Sequence, residues 1–234
     1  MPQYDRRYRE LKAAGLPGWA GAAHTRGLAR LTAALDRLGS EGAIPAAPAD
    51  LLELGCGNGL GALAMAQRGY RVHGIDLSPT AIAWAEERFA AAGLAGAFRI
   101  GDVREMSAFA DQSFDIVLDG SCLHCLIDDD DRARCLTEVR RMLRPAGAFI
   151  VSHMCGPPKS ADAKARFDVQ TCRLIEDGAP ARALKPLAAL AAELTAAGYT
   201  VCRTWLAENP WWDHATLVCS SSWHASAICS STAP

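Results

Sequence analysis

The 234-residue sequence has little net charge and no long apolar run. Its 24 basic and 26 acidic residues leave a formal net charge of -2, so the charge balance does not favour nucleic acid or an anionic membrane as a partner. No apolar stretch could span a bilayer, and the polar start MPQYDRRYRELKAAG lacks the apolar core of a secretory signal. These absences favour a cytoplasmic protein with no nucleic-acid or membrane partner.

A disulfide framework is also missing from the pattern, although the sequence contains nine cysteines. They are spread from Cys56 to Cys229, their number is odd, and half of all residues are hydrophobic, which is enough for an ordinary core. In a reducing compartment such cysteines are mostly free thiols that pack as small apolar side chains. We therefore expect no disulfide scaffold.

The length suits one α/β domain with a full core rather than two domains. Apolar residues at helical spacing predict helices over residues 4–14 and 22–38, which a Gly/Pro/Ala connector ends. After residue 49, short apolar strands alternate with helices. This alternation predicts a Rossmann-like, doubly wound α/β sheet, mostly parallel and covered on both faces. The polar residues 156–184 are predicted to insert over the sheet edge.

The run LLELGCGNGLGALA follows the first predicted strand and admits two interpretations. Read as G-x-G-x-x-A from Gly57, it fits a dinucleotide fingerprint, with Asp76 about 20 residues further on to bind a ribose. Read as E-x-G-x-G-x-G from Glu53, it resembles motif I of the class I S-adenosylmethionine-dependent methyltransferases. In both cases, the glycines let the backbone approach a ligand closely and permit positive φ angles.

Later stretches favour the second interpretation. Asp76 resembles the family's acidic residue that takes both ribose hydroxyls, and Asp102 resembles the one that accepts a hydrogen bond from the adenine amine. SFDIVLDGSCLH resembles the family's fourth-strand motif, and LRPAG resembles the turn before strand five, with Ala146 in place of a glycine. From residue 51 to about 151, the chain therefore resembles class I S-adenosylmethionine-dependent methyltransferases.

The resemblance implies a seven-stranded sheet that ends in a C-terminal antiparallel hairpin, with S-adenosyl-L-methionine as the cofactor. It implies an N-terminal helical lid of residues 1–45, a cofactor-binding domain of residues 46–220 and a loosely ordered tail of residues 221–234. A small-molecule methyl acceptor is expected, and the chain would be a monomer or a homodimer. The resemblance assigns the following residues to cofactor binding: Glu53, Gly55, Cys56, Gly57, Gly59, Asp76, Leu77, Asp102, Val103 and Asp119.

The stretch GSCLHCLIDDDD, residues 120–131, follows the fourth strand and should face the crevice in which ligands bind in this fold. Methyl transfer from a sulfonium requires alignment and exclusion of water, and an acidic nucleophile also needs a base. Histidine suits that role near neutral pH, so His124 is the candidate catalytic residue, with packing under the loop as the alternative. The aspartates are expected to cap the following helix and oppose its dipole.

Two further interpretations of the cysteines in this stretch stay open. Cys122 and Cys125 could join His153 and Cys155 of the next strand in a metal site. However, C-x-H-C is not a recognised zinc spacing and no second C-x-x-C follows, so we expect no metal. The thiols could instead line a pocket for a soft substrate, or they could merely pack.

Aromatic and imidazole side chains outside the motifs are candidate substrate contacts. In related small-molecule methyltransferases an N-terminal helix closes over the cofactor, and aromatic faces can hold a methylsulfonium. ENPWWDH places two tryptophans in a hairpin turn, and one should face the pocket or a partner. The candidates are Trp19, His153, Trp211 and His214.

Three functions are compatible with these motifs. The leading one is transfer of a methyl group from S-adenosylmethionine to a small-molecule nitrogen, oxygen or sulfur nucleophile by in-line displacement. A non-catalytic S-adenosylmethionine-binding regulatory protein would keep every cofactor motif and differ only in turnover. An NAD-linked oxidoreductase would explain the glycine loop and Asp76, but not the later motifs.

Overall fold

A computed structural model of the chain describes residues 2–21, 24–221 and 229. The predicted tail of residues 221–234 therefore lies almost wholly outside the described residues. No described helix combines the length and the apolar composition that a bilayer crossing requires. The helices, in chain order, are α1 (Pro2–Ala13), α2 (His24–Ser40), α3 (Leu60–Ala66), α4 (Pro79–Ala92), α5 (Asp129–Met142), α6 (Ala161–Ala165) and α7 (Leu187–Ala196), with a 3-10 turn at Leu123–Cys125.

The strands form two sheets. The main sheet has seven strands in the order β3-β2-β1-β4-β5-β10-β9, and a small sheet has the order β6-β7-β8. The strands are β1 (Asp50–Leu54), β2 (Arg71–Asp76), β3 (Gly96–Ile100), β4 (Phe114–Asp119), β5 (Leu143–Cys155), β6 (Phe167–Asp168), β7 (Arg173–Glu176), β8 (Ala179–Ala183), β9 (Thr200–Ala207) and β10 (Asp213–Ser220).

The main sheet confirms the predicted fold class. The first five strands pair in parallel, and β10 pairs antiparallel with both β5 and β9. Leu54 of β1 pairs with Ile75 of β2 on one side and with Asp119 of β4 on the other. These three strands therefore end on one line, and the loops that follow them meet at one edge of the sheet.

Alternate residues of the central strands supply two separate cores, because successive side chains point to opposite faces of a sheet. On one face, Leu52 and Val117 pack with apolar residues of α5 and α7. On the other face, Leu51 and Ile116 pack with apolar residues of α2 and α3. Helices on both faces are what the nearly continuous apolar strands predict.

The ends of α4 follow the sequence signals closely. Ser78 is the N-cap and its hydroxyl accepts a hydrogen bond from the Ala81 amide, while Pro79 opens the helix. Gly93 ends the helix in the left-handed conformation with φ of 65°. Fixing α4 in this way fixes the position of the loop before it, which follows Asp76.

The prediction that LRPAG forms a turn is wrong. β5 begins at Leu143 and continues through these residues to Cys155. Leu143 pairs with Phe114, but the next pair joins Ala148 to Ile116, so several extra residues of β5 bulge between the two pairs. Proline is accepted there because a bulge does not require its missing amide hydrogen.

The polar residues predicted as an insertion form a unit of their own after β5. α6 and the three short antiparallel strands β6, β7 and β8 lie between β5 and α7. The amide of Gly156 donates a hydrogen bond to the carbonyl of Lys185, 3.1 Å away. Both ends of the insertion therefore meet at the carboxyl end of β5.

The cysteine prediction holds for all but two of the described cysteines. Cys56, Cys122, Cys125, Cys135, Cys155, Cys172 and Cys219 are free. A disulfide joins Cys202 of β9 to Cys229, so the expectation of mostly free thiols holds for seven of these nine cysteines and not for this pair. The odd number and wide spacing exclude a scaffold of many bridges, but they do not exclude one local pair between an edge strand and the segment after β10.

Candidate functional site

The loop between β1 and α3 contains three glycines in the left-handed region of backbone space. The φ angles of Gly55, Gly57 and Gly59 are 57°, 54° and 72°. A Cβ at Gly55 would lie 2.8 Å from the Cβ of Cys122, and a Cβ at Gly57 would lie where the Tyr8 hydroxyl is. Side chains are thus excluded here by both conformation and space, which leaves backbone open to close approach.

Asp76 connects this loop to the end of β2. Its two carboxylate oxygens accept hydrogen bonds from the Gly57 amide at 2.9 Å and the Ser78 amide at 2.8 Å. Burial raises the pKa of Asp76, whereas the two backbone hydrogen bonds oppose that shift. Leu77 follows and is half-buried. A carboxylate in this position retains lone pairs for the hydroxyl groups of a ligand.

Glu53, near the end of β1, is buried beneath the same loop. Its side chain lies against Gly61 and Gly120, and Oε2 has no hydrogen-bond partner among the described residues. Burial and the nearby carboxylates of Asp76 and Asp119 raise the pKa of Glu53 to about 8. Such a group ionises readily once a cation arrives beside it. Cys56, in the same loop, is also buried.

The structure gives Asp102 a partner that the sequence did not indicate. Arg104 donates to both carboxylate oxygens through Nε and Nη2, and it also reaches Asp131 at 2.6 Å. These bonds lower the pKa of Asp102. Val103 is 6% exposed and packs in the core. Contact of Asp102 with an adenine amine stays a prediction, and any such contact must share the carboxylate with Arg104.

Asp119 shapes the turn that carries the histidine and the two cysteines. The fully buried carboxylate accepts hydrogen bonds from the Cys122 amide at 2.6 Å and the Leu123 amide at 2.8 Å, both through Oδ1. Its Oδ2 faces Nε2 of His153 at 3.7 Å, too far for a hydrogen bond. Asp119 therefore has a local structural use, and its contact with a cofactor stays a prediction.

The structure brings together the three histidines that the sequence singled out. His124 is 3% exposed, and its ring centroid lies 5.2 Å from that of His153. Burial lowers the pKa of His124 well below its ordinary value, with His153 and His214 among the groups that add to the effect. Burial also lowers the pKa of His214 to about 4. At neutral pH all three rings are uncharged.

The hydrogen bonds of His153 fix which nitrogen carries its proton. Nδ1 lies 2.7 Å from the Met154 carbonyl, which can only accept, so Nδ1 is the donor. In the neutral ring Nε2 is then an acceptor, and it faces Oδ2 of Asp119, which is also an acceptor. A hydrogen-bond donor placed beside the two atoms could pair with both of them. His214, on β10, reaches Ser152 at 3.2 Å through Nε2.

Four buried polar atoms lack a hydrogen-bond partner within the described residues, and they lie at the same edge of the sheet. They come from β1, from β4, from the turn after β4 and from β5, which are neighbouring parts of the sheet. Unpartnered buried polar atoms are costly, and a cluster of them marks a place where a ligand or water completes the bonding. The atoms are Glu53 Oε2, Asp119 Oδ2, His124 Nδ1 and His153 Nε2.

The two cysteines beside His124 are thiols at neutral pH. Burial raises the pKa of Cys125 to about 11, and it raises the pKa of Cys122 well above the ordinary value. Protonated thiols are poor metal ligands and poor nucleophiles. Over the described part of the chain, no three histidine, cysteine or carboxylate side chains are placed to hold a metal ion.

The aspartate run after the turn behaves differently from the prediction. Asp128 stands at the N-cap of α5, but its side chain makes no capping hydrogen bond. Asp129 pairs with Lys185 at 2.9 Å, and Asp131 pairs with Arg104 and Arg134. The carboxylates lie in the first turn, where they oppose the positive end of the helix dipole as expected. Their hydrogen bonds go to Lys185, to Arg104 and to Arg134 of the same helix rather than to backbone amides.

The N-terminal helix lies against the glycine loop. Tyr8 is 7% exposed, and Trp19 packs on it with ring centroids 5.3 Å apart. Asp5 accepts hydrogen bonds from the Ser78 hydroxyl at 2.7 Å and the Thr80 amide at 3.0 Å, both at the start of α4. α1 is thus held over the site, as a lid would be, and Trp19 contacts the lid rather than the interior of the site.

Trp211 is the predicted site residue that the structure does not bring to this cluster. Its side chain is 49% exposed, and its carbonyl accepts a hydrogen bond from the Lys159 amide. The expectation that one of the two tryptophans faces the pocket or a partner stays a prediction. A contact of Trp211 with substrate stays a prediction.

Sequence reasoning missed two arginines near the turn. Arg132 is fully buried, pairs with Glu193 through Nε and Nη2, and donates to the Leu123 carbonyl. Arg182, on β8 of the insertion, pairs with Glu176. An arginine in a helix or a short strand is usually solvated, so only the fold could have identified either one.

Comparison with known proteins agrees with this geometry. Residues 52–151 match the family model described as a methyltransferase domain. The chain is 32% identical over 110 residues to a ubiquinone biosynthesis O-methyltransferase of Pseudomonas aeruginosa. The aligned residues make up 47% of this chain and 46% of that protein. The chain is also 36% identical over 121 residues to a fatty-acid O-methyltransferase of Mycolicibacterium smegmatis, covering 51% and 39%. The chain thus spans less than half the length of these curated relatives.

Among solved structures, one similar chain is the Burkholderia thailandensis 1,6-didemethyltoxoflavin-N1-methyltransferase with bound 1,6-didemethyltoxoflavin and S-adenosylhomocysteine. The TM-score is 0.68 at 21% identity, over 94% of this chain and 86% of that one. At that identity the similarity establishes the fold, which covers nearly the whole of the present chain.

Proposed function

We propose that the chain, whose residues 52–151 match a methyltransferase-domain family model, is a class I S-adenosylmethionine-dependent methyltransferase that transfers a methyl group from S-adenosylmethionine to a small-molecule nucleophile. The acceptor atom is nitrogen, oxygen or sulfur, and the transfer is an in-line displacement. One observation carries the proposal: four unpartnered buried polar atoms converge beside a loop of three left-handed glycines, at the sheet edge where this fold binds ligands.

The residues at this edge fit the parts of S-adenosylmethionine. The backbone of Gly55 and Gly57 allows the methionine portion to approach, and Glu53 supplies a carboxylate for its ammonium group. Asp76 accepts hydrogen bonds from the ribose hydroxyls with lone pairs that its two backbone partners leave free. When bound, the cofactor supplies a methyl group made electrophilic by its positive sulfur.

The imidazoles on the acceptor side can remove a proton from the substrate. His124 is neutral, and its Nδ1 has no partner among the described residues, so it can take a proton from a phenol, thiol or ammonium group. His153 beside it holds Nε2 unprotonated. We assign the base role to His124, and we assign His153 to a hydrogen bond with the same nucleophile.

The lid excludes water during the transfer. α1 lies over the glycine loop, and the hydroxyl of Tyr8 stands above Gly57. Closure removes water that would compete for the bonds made by Glu53 and Asp76, and it holds the acceptor close to the methyl carbon. Entry of the cofactor requires Tyr8 to move aside.

The proposal is tested by two measurements on the native protein. Calorimetric titration should show binding of S-adenosylmethionine and no binding of NAD. A panel of small nitrogen, oxygen and sulfur nucleophiles should then release S-adenosylhomocysteine with at least one acceptor. Binding without turnover across the panel would instead support a non-catalytic cofactor-binding protein, and absence of binding would contradict both.

A further inference from the structure

The insertion brings β8 back to the carboxyl edge of the main sheet. Leu184, directly after β8, has its carbonyl at the place where a Cβ of Gly156 would stand, so the two backbones are in close contact. Gly156 directly follows β5 and is two residues beyond Met154, to which His153 donates. β8 also packs against the 3-10 turn that carries His124. The insertion therefore forms a wall on the acceptor side of the site.

Arg182 lies on the inward face of that wall. Across the small sheet it pairs with Leu174 of β7, and directly paired residues of antiparallel strands have their side chains on the same face. Leu174 is 2% exposed, so this face is the one packed against the protein. The side chain of Arg182 is 19% exposed.

The guanidinium of Arg182 is only partly used by the protein. It makes one hydrogen bond, from Nη1 to Oε1 of Glu176 at 2.7 Å, and Glu176 is 39% exposed. A guanidinium has five N–H donors in a planar fork. The described residues supply no partner for the other donors of Arg182, which are therefore available to a ligand.

Arg182 acts electrostatically on three titratable side chains of the site. Its positive field contributes to lowering the pKa of His124, and it opposes the burial that raises the pKa values of Cys125 and Tyr4. These three neighbours are uncharged at neutral pH. A cationic group of a substrate would be repelled here, whereas an anionic group would find a partly desolvated partner.

From this geometry we propose that Arg182 binds a carboxylate of the methyl acceptor, so that the substrates are small acids carrying a separate nucleophile. The proposal rests on the proposed function, since it names the substrate class of that site. The planar fork of arginine matches a carboxylate with two parallel hydrogen bonds, which fixes the orientation of the acceptor as well as its affinity. Arg182 is then a specificity-determining residue that does not touch the reacting atoms.

The test uses pairs of acceptors that differ only in a carboxylate or its amide: protocatechuate, mercaptopropionate and N-methylglycine, each with its amide. Dissociation constants are measured by calorimetry on the full-length protein saturated with S-adenosylhomocysteine, and kcat/KM is measured where turnover occurs. The proteins are the native chain, Arg182→Met, Arg182→Lys and the control Arg166→Met, which removes an exposed arginine of the same insertion.

The native protein should bind at least one acid about ten- to a hundredfold more tightly than its amide, as expected for charge-assisted hydrogen bonds. Arg182→Met should abolish that preference mainly through KM, Arg182→Lys should keep part of it, and Arg166→Met should keep all of it. Unchanged affinity of Arg182→Met for S-adenosylhomocysteine would show that the fold is intact.

The outcomes that overturn the inference are distinct from those that overturn the function. The native protein could bind S-adenosylhomocysteine and yet bind acid and amide with equal affinity in all pairs, or bind none of the acids. Either result overturns the role of Arg182 and leaves methyl transfer standing. Retention of the acid preference in Arg182→Met does the same. Failure of the native protein to bind S-adenosylmethionine or S-adenosylhomocysteine overturns the proposed function itself.

Discussion

Gly57 illustrates at the scale of one residue why a glycine is required in the loop after β1. Its φ angle of 54° and the nearby Tyr8 hydroxyl both oppose a side chain. We predict that Gly57→Ala weakens S-adenosylmethionine binding at least about tenfold. The new alanine side chain would push Tyr8 aside and would prevent the ligand from touching the backbone of residue 57. Titration calorimetry measures the effect.

Gly42 provides the matched control for that variant. Its φ angle is 61°, and a Cβ there meets nothing within 4 Å. Gly42→Ala carries a similar backbone strain without any steric contact, so cofactor affinity should be unchanged. Equal losses of affinity in both variants would show that the effect of Gly57→Ala is general destabilisation rather than contact with the ligand.

His124 is the second residue whose role can be measured directly. We predict that His124→Ala lowers kcat by about a hundredfold or more on a confirmed acceptor while cofactor affinity is retained, since a general base acts on the substrate proton. His73→Ala serves as the control, because this ring contacts Phe114 and lies away from the turn. Full activity of His124→Ala would make the histidine a packing residue and pass the base role to His153.

At the scale of an element, Arg132 holds the 3-10 turn to α7. It bonds the Leu123 carbonyl and pairs with Glu193 inside the protein. We predict that Arg132→Met destabilises the fold by about 3 kcal/mol, because the buried Leu123 carbonyl loses its side-chain donor and Glu193 is left with Lys185 alone among the described residues. Arg134→Met removes an exposed pair with Asp131 from the same helix and should cost at most about 1 kcal/mol.

Urea unfolding of the two arginine variants distinguishes this role from simple helix propensity. The two positions lie in the same helix and receive the same new side chain, so propensity changes both equally. A loss of stability in Arg132→Met no larger than that in Arg134→Met would contradict the buried-pair explanation.

The proposed lid, helix α1, is a second element whose attachment can be tested. Asp5 joins α1 to the start of α4 through two hydrogen bonds. We predict that Asp5→Ala speeds dissociation of S-adenosylhomocysteine by roughly two- to tenfold, which corresponds to about one hydrogen bond. Glu10→Ala is the control, because among the described residues the Glu10 side chain pairs with Arg6 and Arg7 of its own helix alone. Stopped-flow rates that are the same in both variants would exclude a latch at Asp5.

At the scale of the whole molecule, buried titratable groups set how stability varies with pH. The pKa of Glu53 is about 8 in the folded protein against 4.5 ordinarily, so the folded state keeps a proton that the unfolded state loses. Its contribution is full below about pH 4.5 and is lost as the pH rises through 8. The pKa of His214 is about 4 against 6.5 ordinarily, so its contribution is present above 6.5 and is lost as the pH falls through 4.

We therefore predict opposite effects of two neutral substitutions on urea unfolding midpoints. Glu53→Gln should reduce the loss of stability between about pH 6.5 and 8, whereas His214→Gln should reduce the loss between about pH 6.5 and 4. The two pH windows overlap between about 4.5 and 6.5, so the controls lie outside that range: His214→Gln should leave the slope above about pH 6.5 unchanged, and Glu53→Gln should leave the slope below about pH 4.5 unchanged. Parallel shifts of both limbs would mean that the substitutions alter packing instead of proton uptake.

The main sheet, the glycine loop and Asp76 could be predicted because their signals are local: period, turn chemistry and the ends of strands. The two ends of α4, at Ser78 and Gly93, could be predicted for the same reason. The partner of Asp102 and the inward position of Arg182 could not be predicted, since each depends on how distant segments meet. The bulge within LRPAG was missed for a related reason, because pairing with β4 overrides the local preference for a turn.

The position of β10 between β5 and β9 has a consequence for synthesis on the ribosome. The chain emerges at about 5–20 residues per second with its N-terminus first, so β9 is available before the strand that must separate it from β5. Until residues 213–220 leave the ribosome, the nascent sheet has five parallel strands and an open hydrogen-bonding edge at β5. That edge can recruit β9 in the wrong place or a strand of another chain, so correct assembly of the carboxyl-edge site depends on the arrival of β10.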